Sequence, residues 1–124
     1  MRLFILAGAM LAVALAAPAA ATSAADPAGG TWIVKGKVAS HAFTQTCRFD
    51  RQGEALSGTC YDAAGGAHKL TAGAVSDGRV NWTIRTHFLL ASFDVTFSGV
   101  VDGDVMTGQV GAYGHAGVFT ATRS

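Results

Sequence analysis

Charge is scarce in this chain and favours neither sign. Nine Lys and Arg stand against eight Asp and Glu, and charged residues make up only 14% of the sequence. One of the nine, Arg2, belongs to an N-terminal leader, so the remainder balances at eight against eight. No basic stripe is available to track phosphates, which argues against a nucleic-acid partner. No basic amphipathic helix is present to lie on a membrane surface. Cysteine is scarcer still: Cys47 and Cys60 are the only two. Neither follows the N-terminal apolar run closely, which excludes a lipid anchor on a new N-terminal cysteine. Redox catalysis would favour C-x-x-C, and zinc would want two further ligands nearby. The G-x-S-x-G, H-E-x-x-H, phosphate-loop and EF-hand patterns are all missing. No metal or cofactor is expected, and no residue is assigned to catalysis.

What is present begins with "MRLFILAGAMLAVALAAPAAATSAADP". Arg2 forms a short basic n-region, and Leu3 to Leu15 is an apolar run too short to span a bilayer. Ala19-Ala20-Ala21 offers an A-x-A cleavage site and Ser23-Ala24-Ala25 a looser one. Residues 1–25 therefore read as a secretory signal peptide, cleaved after Ala21 or Ala25. Residues 26–124 form one domain, expected to be soluble and periplasmic or secreted, with no membrane anchor. At about a hundred residues a single core is marginal, so a covalent staple would help.

Beyond the leader, no segment has helical periodicity. Short alternating runs are separated by Gly, Asp and Asn clusters at even spacing, the pattern of an all-β domain. Eight strands are expected: Thr31–Val38, Ala42–Asp50, Ala55–Tyr61, His68–Ala74, Arg79–Thr86, Ala91–Val100, Asp104–Tyr113 and Gly117–Arg123. Three turns, in "DRQGE", "SDGR" and "VDGD", are tight; "ASHA", "DAAGGAH", "THFLL" and "AYGHAG" read as looser. Alternation puts Trp32, Val34 and Val38 on one face against Lys35 and Lys37. It puts Val80, Trp82 and Ile84 against Asn81, Thr83 and Arg85, and Phe93, Val95 and Phe97 against Asp94, Thr96 and Ser98. Consecutive hairpins imply an antiparallel up-and-down meander, and closing it into a small barrel removes the aggregation-prone edges. A two-sheet sandwich is the alternative architecture. Gly58, Gly99 and Gly108 fall inside strands, where glycine marks a bend or barrel corner.

The two cysteines frame a hairpin. With Gly53-Glu54 as a two-residue loop of type II′, Gln52 pairs with Ala55 and Cys47 lies directly opposite Cys60. Counting outward, that pair falls on a non-hydrogen-bonded site, where Cα atoms approach to about 4.5 Å, within bridging range. A loop at Gln52-Gly53 would instead offset the two. An oxidising compartment supplies the chemistry for a structural disulfide.

In a meander, successive turns alternate between ends, so His41, His68, His87 and His115 all fall at one end. Metal binding needs nitrogens about 2.0–2.1 Å from one ion, whereas these are spread around a rim. "GQVGAYGHAG" repeats glycine every three residues; it reads as a glycine-rich strand end and turn, or as a lid carrying Tyr113 and His115. The sequon Asn81-Trp82-Thr83 sits mid-strand and is discounted, and Asp94 reads as a solvated face.

With "GTW" (30–32) opening the first strand, "ALSGTCYDAAG" (55–65), "NWTIR" (81–85) and "TFSG" (96–99) in order, the chain resembles the avidin and streptavidin family. The resemblance implies an eight-stranded barrel open at the histidine-bearing end. The family's biotin-binding residues are not retained. Val34 and Val38 stand where the family has an Asn and a Ser, and Cys60 stands at its ureido-binding Tyr, with Asp62 at a following Ser. Phe93, Val95 and Phe97 replace a Ser, a Thr and a Trp, and only Trp82 keeps a cavity tryptophan. A site built on hydrogen bonds loses heavily without them, so biotin is not the expected ligand.

Three functions are consistent with these residues. The first is binding of a small apolar molecule, lined by Trp32, Trp82, Phe93, Val95 and Phe97, with Tyr113, His87 and His115 at the mouth. The second is interaction with a secreted protein, as in barrels resembling the bacterial metalloprotease inhibitors, with "TSAADPAGG" entering a protease cleft. The third is acid–base catalysis by His87, His115 and Tyr113.

Overall fold

A computed structural model of the chain describes residues 28–88 and 90–124. The leader expected over 1–25, its cleavage sites and most of "TSAADPAGG" lie outside the described residues. Eight strands follow in order: β1 (Gly30–Val38), β2 (His41–Gln52), β3 (Ala55–Asp62), β4 (Ala67–Ser76), β5 (Arg79–Phe88), β6 (Ala91–Asp102), β7 (Val105–Ala112) and β8 (His115–Arg123). Each is antiparallel to the next, and β8 pairs with β1 from Trp32↔Arg123 to Val38↔Gly117, which closes the barrel. The meander is the one alternation predicts, and the sandwich is excluded.

Each strand sends every second side chain inward. Trp32, Val34, Val80, Trp82, Ile84 and Phe97 are fully or almost fully buried, whereas their neighbours Lys35, Lys37, Arg85 and Asp94 are exposed. A charged exterior around an apolar interior is the reverse of a lipid-facing barrel.

Turn chemistry sets the register. Gly53-Glu54 is the β2–β3 loop, with Gly53 at φ 63°, and Gln52 pairs with Ala55 as expected. Asp77 and Gly78 both have positive φ, as a type I′ hairpin requires. Three turns are tighter than their sequences suggested, and at "THFLL" β5 and β6 stay paired as far as Phe88↔Ala91. "ASHA" reduces to Ala39-Ser40 between paired Val38 and His41, and "AYGHAG" to Tyr113-Gly114 between paired Ala112 and His115. Ala39 (φ 56°) and Tyr113 (φ 53°) adopt the left-handed conformation, so the strands run on and no lid is formed. His41, His87 and His115 consequently lie on strand ends.

The β3–β4 connection is the longest, and Asp62 organises it. Its Oδ1 accepts from the backbone N–H groups of Ala64 (3.0 Å) and Gly66 (2.8 Å), and its Oδ2 meets His68 Nε2 at 2.9 Å. The hydrogen bond with His68, then those from the loop backbone, hold the Asp62 carboxyl below its ordinary value of 3.8. Gly58 marks a corner: it has φ 145° and lies where the β3–β4 register shifts, and a Cβ there would collide with the Arg48 carbonyl oxygen.

Cys47 and Cys60 pair across β2 and β3 with Cα atoms 3.9 Å apart and form a disulfide. Both are fully buried, so the bridge belongs to the core. The end of the barrel where β1 begins is sealed. Trp32 Nε1 donates to the Ala28 carbonyl oxygen at 3.0 Å, and Ala28 is itself buried. The Arg123 guanidinium lies 4.4 Å from the centre of the Trp32 ring and donates to Asp104 Oδ1 (2.9 Å) and to the Gly29 carbonyl oxygen.

Candidate functional site

The barrel is filled from its closed end only as far as an aromatic cluster. Trp82 stacks on Phe97 with ring centres 4.6 Å apart and planes 9° from parallel. Phe49 packs 4.8 Å from Trp82, and Phe119 meets both Trp82 and Phe97 edge-on. Phe43 closes onto Phe97 from the other side, 6.0 Å away. Above Phe97 the interior is hollow. A cavity of about 860 Å³ opens between the ends of β1, β2, β5, β6, β7 and β8, within the range of small-molecule sites.

Phe97 forms the floor. Phe43, Val95 and Phe93 line the wall, each partly buried, while Val38, Ala91 and Ala112 complete the apolar surface. Gln45 and Thr86 are half-buried polar members of the wall. His41, Tyr113 and His115 stand at the rim with Ala39 and Leu90, and all five are exposed. The Tyr113 ring packs edge-on against Phe93 at 5.2 Å, tying the β7–β8 turn to the cavity wall. None of the described lining residues is Lys, Arg, Asp or Glu.

The residues expected at a ligand site divide into three groups. Phe93, Val95, Phe97, Tyr113 and His115 come together on the cavity. Trp32 and Trp82 are fully buried below it; Trp82 supports the floor through Phe97, and Trp32 belongs to the sealed end. His87 points away: it continues the outward parity of Arg85, pairs with Ser92 and is exposed. His87, His115 and Tyr113 therefore do not share a pocket, as joint acid–base work would require. Of the four histidines at this end, His41 and His115 reach the cavity, while His68 is occupied with Asp62. Among the described residues no group of three His, Cys, Asp or Glu is placed to hold a metal ion.

Sequence reasoning placed His41 at this end without assigning it to the ligand site, and passed over Phe43 and Gln45. The signal was available: counting back in twos from buried Cys47 puts all three on the inner face of β2. Two buried side-chain polar atoms have no partner among the described residues, Gln45 Oε1 and Trp82 Nε1.

Taken together, these features define a small closed β-barrel with one end packed and the other a neutral apolar cup. Comparison with known protein families, with characterised proteins and with solved structures finds no match to this chain.

Proposed function

We propose that the protein is an exported carrier or scavenger that binds a small, mainly apolar molecule in the open cup of its barrel. One observation carries this reading: a cavity of about 860 Å³ with aromatic and aliphatic walls in a domain otherwise packed around its aromatic cluster. Burying apolar surface contributes roughly 25 cal/mol per Å², so an apolar guest gains where water does not. The buried disulfide accords with a periplasmic or secreted setting, because such bonds persist in oxidising compartments. The likeness to avidin and streptavidin supplies architecture and not ligand. Val34 is buried in the core and Cys60 is spent in the disulfide, which leaves neither free to hydrogen-bond a biotin-like ureido group. Nothing described favours the inhibitor reading. The chain enters β1 at the sealed end, with Ala28 buried under Trp32.

The test is titration with the neutral fluorophore N-phenyl-1-naphthylamine, alongside native mass spectrometry of protein taken from its own periplasm. Wild type is expected to bind one equivalent and to carry a co-purifying small molecule. Ala112→Trp, which fills the cup from its wall, is expected to lose both. Equal binding by that variant, or no binding by wild type, would refute the reading.

A further inference from the structure

A hydrogen-bond acceptor without a donor is built into the wall of the cup. Gln45 lines the cavity, and its side-chain oxygen Oε1 is buried and unpartnered. Its neighbours on the inner face of β2 are apolar: Phe43 toward the mouth, Cys47 and Phe49 toward the core. Across the β1–β2 register it faces Val34, which is fully buried. A leucine or methionine would fit these surroundings without leaving a polar group unsatisfied. Buried polar groups almost always have partners, and an orphan calls for an explanation.

Position supplies one. The other polar groups on the cup are Thr86 on the upper wall and His41, Tyr113 and His115 at the rim, where water reaches them. Gln45 lies one inward position deeper than Phe43, whose ring contacts the floor residue Phe97. It is thus the polar group that the leading end of a guest meets beside the floor. Oε1 itself is shielded in the wall, and rotation about the soft terminal torsion exchanges it with Nε2, so the amide can present either an acceptor or a donor to the cavity. The amide oxygen accepts and the amide nitrogen donates, and neither carries charge. With no Lys, Arg, Asp or Glu among the described lining residues, a charged leading group would be buried unpaired at high cost.

We infer that the cup takes an uncharged, largely apolar molecule whose leading end carries one hydrogen-bonding group, met by the side-chain amide of Gln45. This rests on the cup being the binding site and specifies the head group it selects.

The experiment compares 2-naphthol with 2-methylnaphthalene, which share a shape and differ in one hydroxyl, by calorimetric titration of wild type and Gln45→Met. Water solvates the two probes differently, so the quantity read is the change in their affinity ratio between the proteins. A hydrogen bond between the hydroxyl and the Gln45 amide should shift that ratio toward the naphthol in wild type by about tenfold. Gln45→Met should also bind 2-methylnaphthalene at least as tightly as wild type does, and Gln45→Leu repeats the contrast with a shorter side chain. The anion 2-naphthoate at pH 8 should bind wild type more than about tenfold more weakly than 2-naphthol. An unchanged ratio, or naphthoate binding as well as naphthol, overturns the inference. If neither naphthalene probe binds while N-phenyl-1-naphthylamine does, the head-group inference fails and the binding site stands; if all three fail, both fall.

Discussion

Phe97 and Phe119 are equally buried, yet truncating them should not cost the same. Both pack on Trp82 and on each other, with ring centres 4.6 Å and 5.5 Å from Trp82 and 5.4 Å apart. Phe119 is enclosed on its other side, where its ring lies over Gly99. Phe97 instead has the cup above it. A Phe→Ala change in a closed core costs roughly 3–5 kcal/mol, of which the trapped void is a large part. The void left by Phe119→Ala has no outlet, so about 4–5 kcal/mol is expected. The void left by Phe97→Ala merges with an open cavity, so about 3 kcal/mol is expected. For a domain of this size each kcal/mol lowers Tm by roughly 4–8 °C, so the two variants should melt several degrees apart. Urea unfolding followed by tryptophan emission gives the free energies directly, provided both retain the wild-type slope. N-Phenyl-1-naphthylamine should then restore stability to Phe97→Ala by mass action, and do less for Phe119→Ala if that variant distorts the floor. Equal losses, or a larger loss for Phe97→Ala, would mean that the space above Phe97 is not open.

Three further outcomes are expected. Replacing both cysteines by alanine should cost about 3 kcal/mol in guanidinium unfolding, the loop-closure value for a bridge of this span; a loss below about 1 kcal/mol would show that the hairpin register alone already constrains the unfolded chain. The Asp62 carboxyl is depressed in the folded state, so its contribution to stability is present above about pH 4 and lost as pH falls through the folded value. Asp62→Asn should flatten that acid limb and accelerate amide exchange at Ala64 and Gly66; unchanged exchange would show that the carboxylate does not hold the loop. Arg123→Met should lose about 2 kcal/mol from its charge-assisted bonds and its cation–π contact, and should red-shift Trp32 emission; unaltered emission would mean that the guanidinium does not seal that end.

Much of this architecture is written in local patterns. Alternation in "TWIVKGKV" and "FDVTFSG" fixes which side chains face inward, and the II′ preference of Gly53-Glu54 is enough to set Cys47 opposite Cys60. Alternation has no coordinate along the barrel axis. It therefore assigned Trp32 and Trp82 to the interior and could not say that the filled part of the interior is theirs. The short turns at Ala39-Ser40 and Tyr113-Gly114 escaped because a non-glycine residue with positive φ, such as Tyr113, carries no compositional signal. That shortening also moved the histidines. Once β5 runs on to Phe88, His87 follows Arg85 outward by parity, which ending the strand at Thr86 had concealed.

The way the sheet closes bears on how the molecule comes into being. Seven of its eight pairings join strands adjacent in sequence, and each can form as soon as its own hairpin exists. The eighth brings Trp32 to Arg123 and cannot begin until the last strand is available. Non-local pairing of this kind slows folding, because the entropy of joining distant segments is lost before the contacts return it. A chain emerging from its N-terminus thus remains an unsealed ribbon, with β1 unpaired along one edge, until its final residues arrive. Completion of the barrel is thereby tied to the arrival of the last strand by the order of the strands themselves.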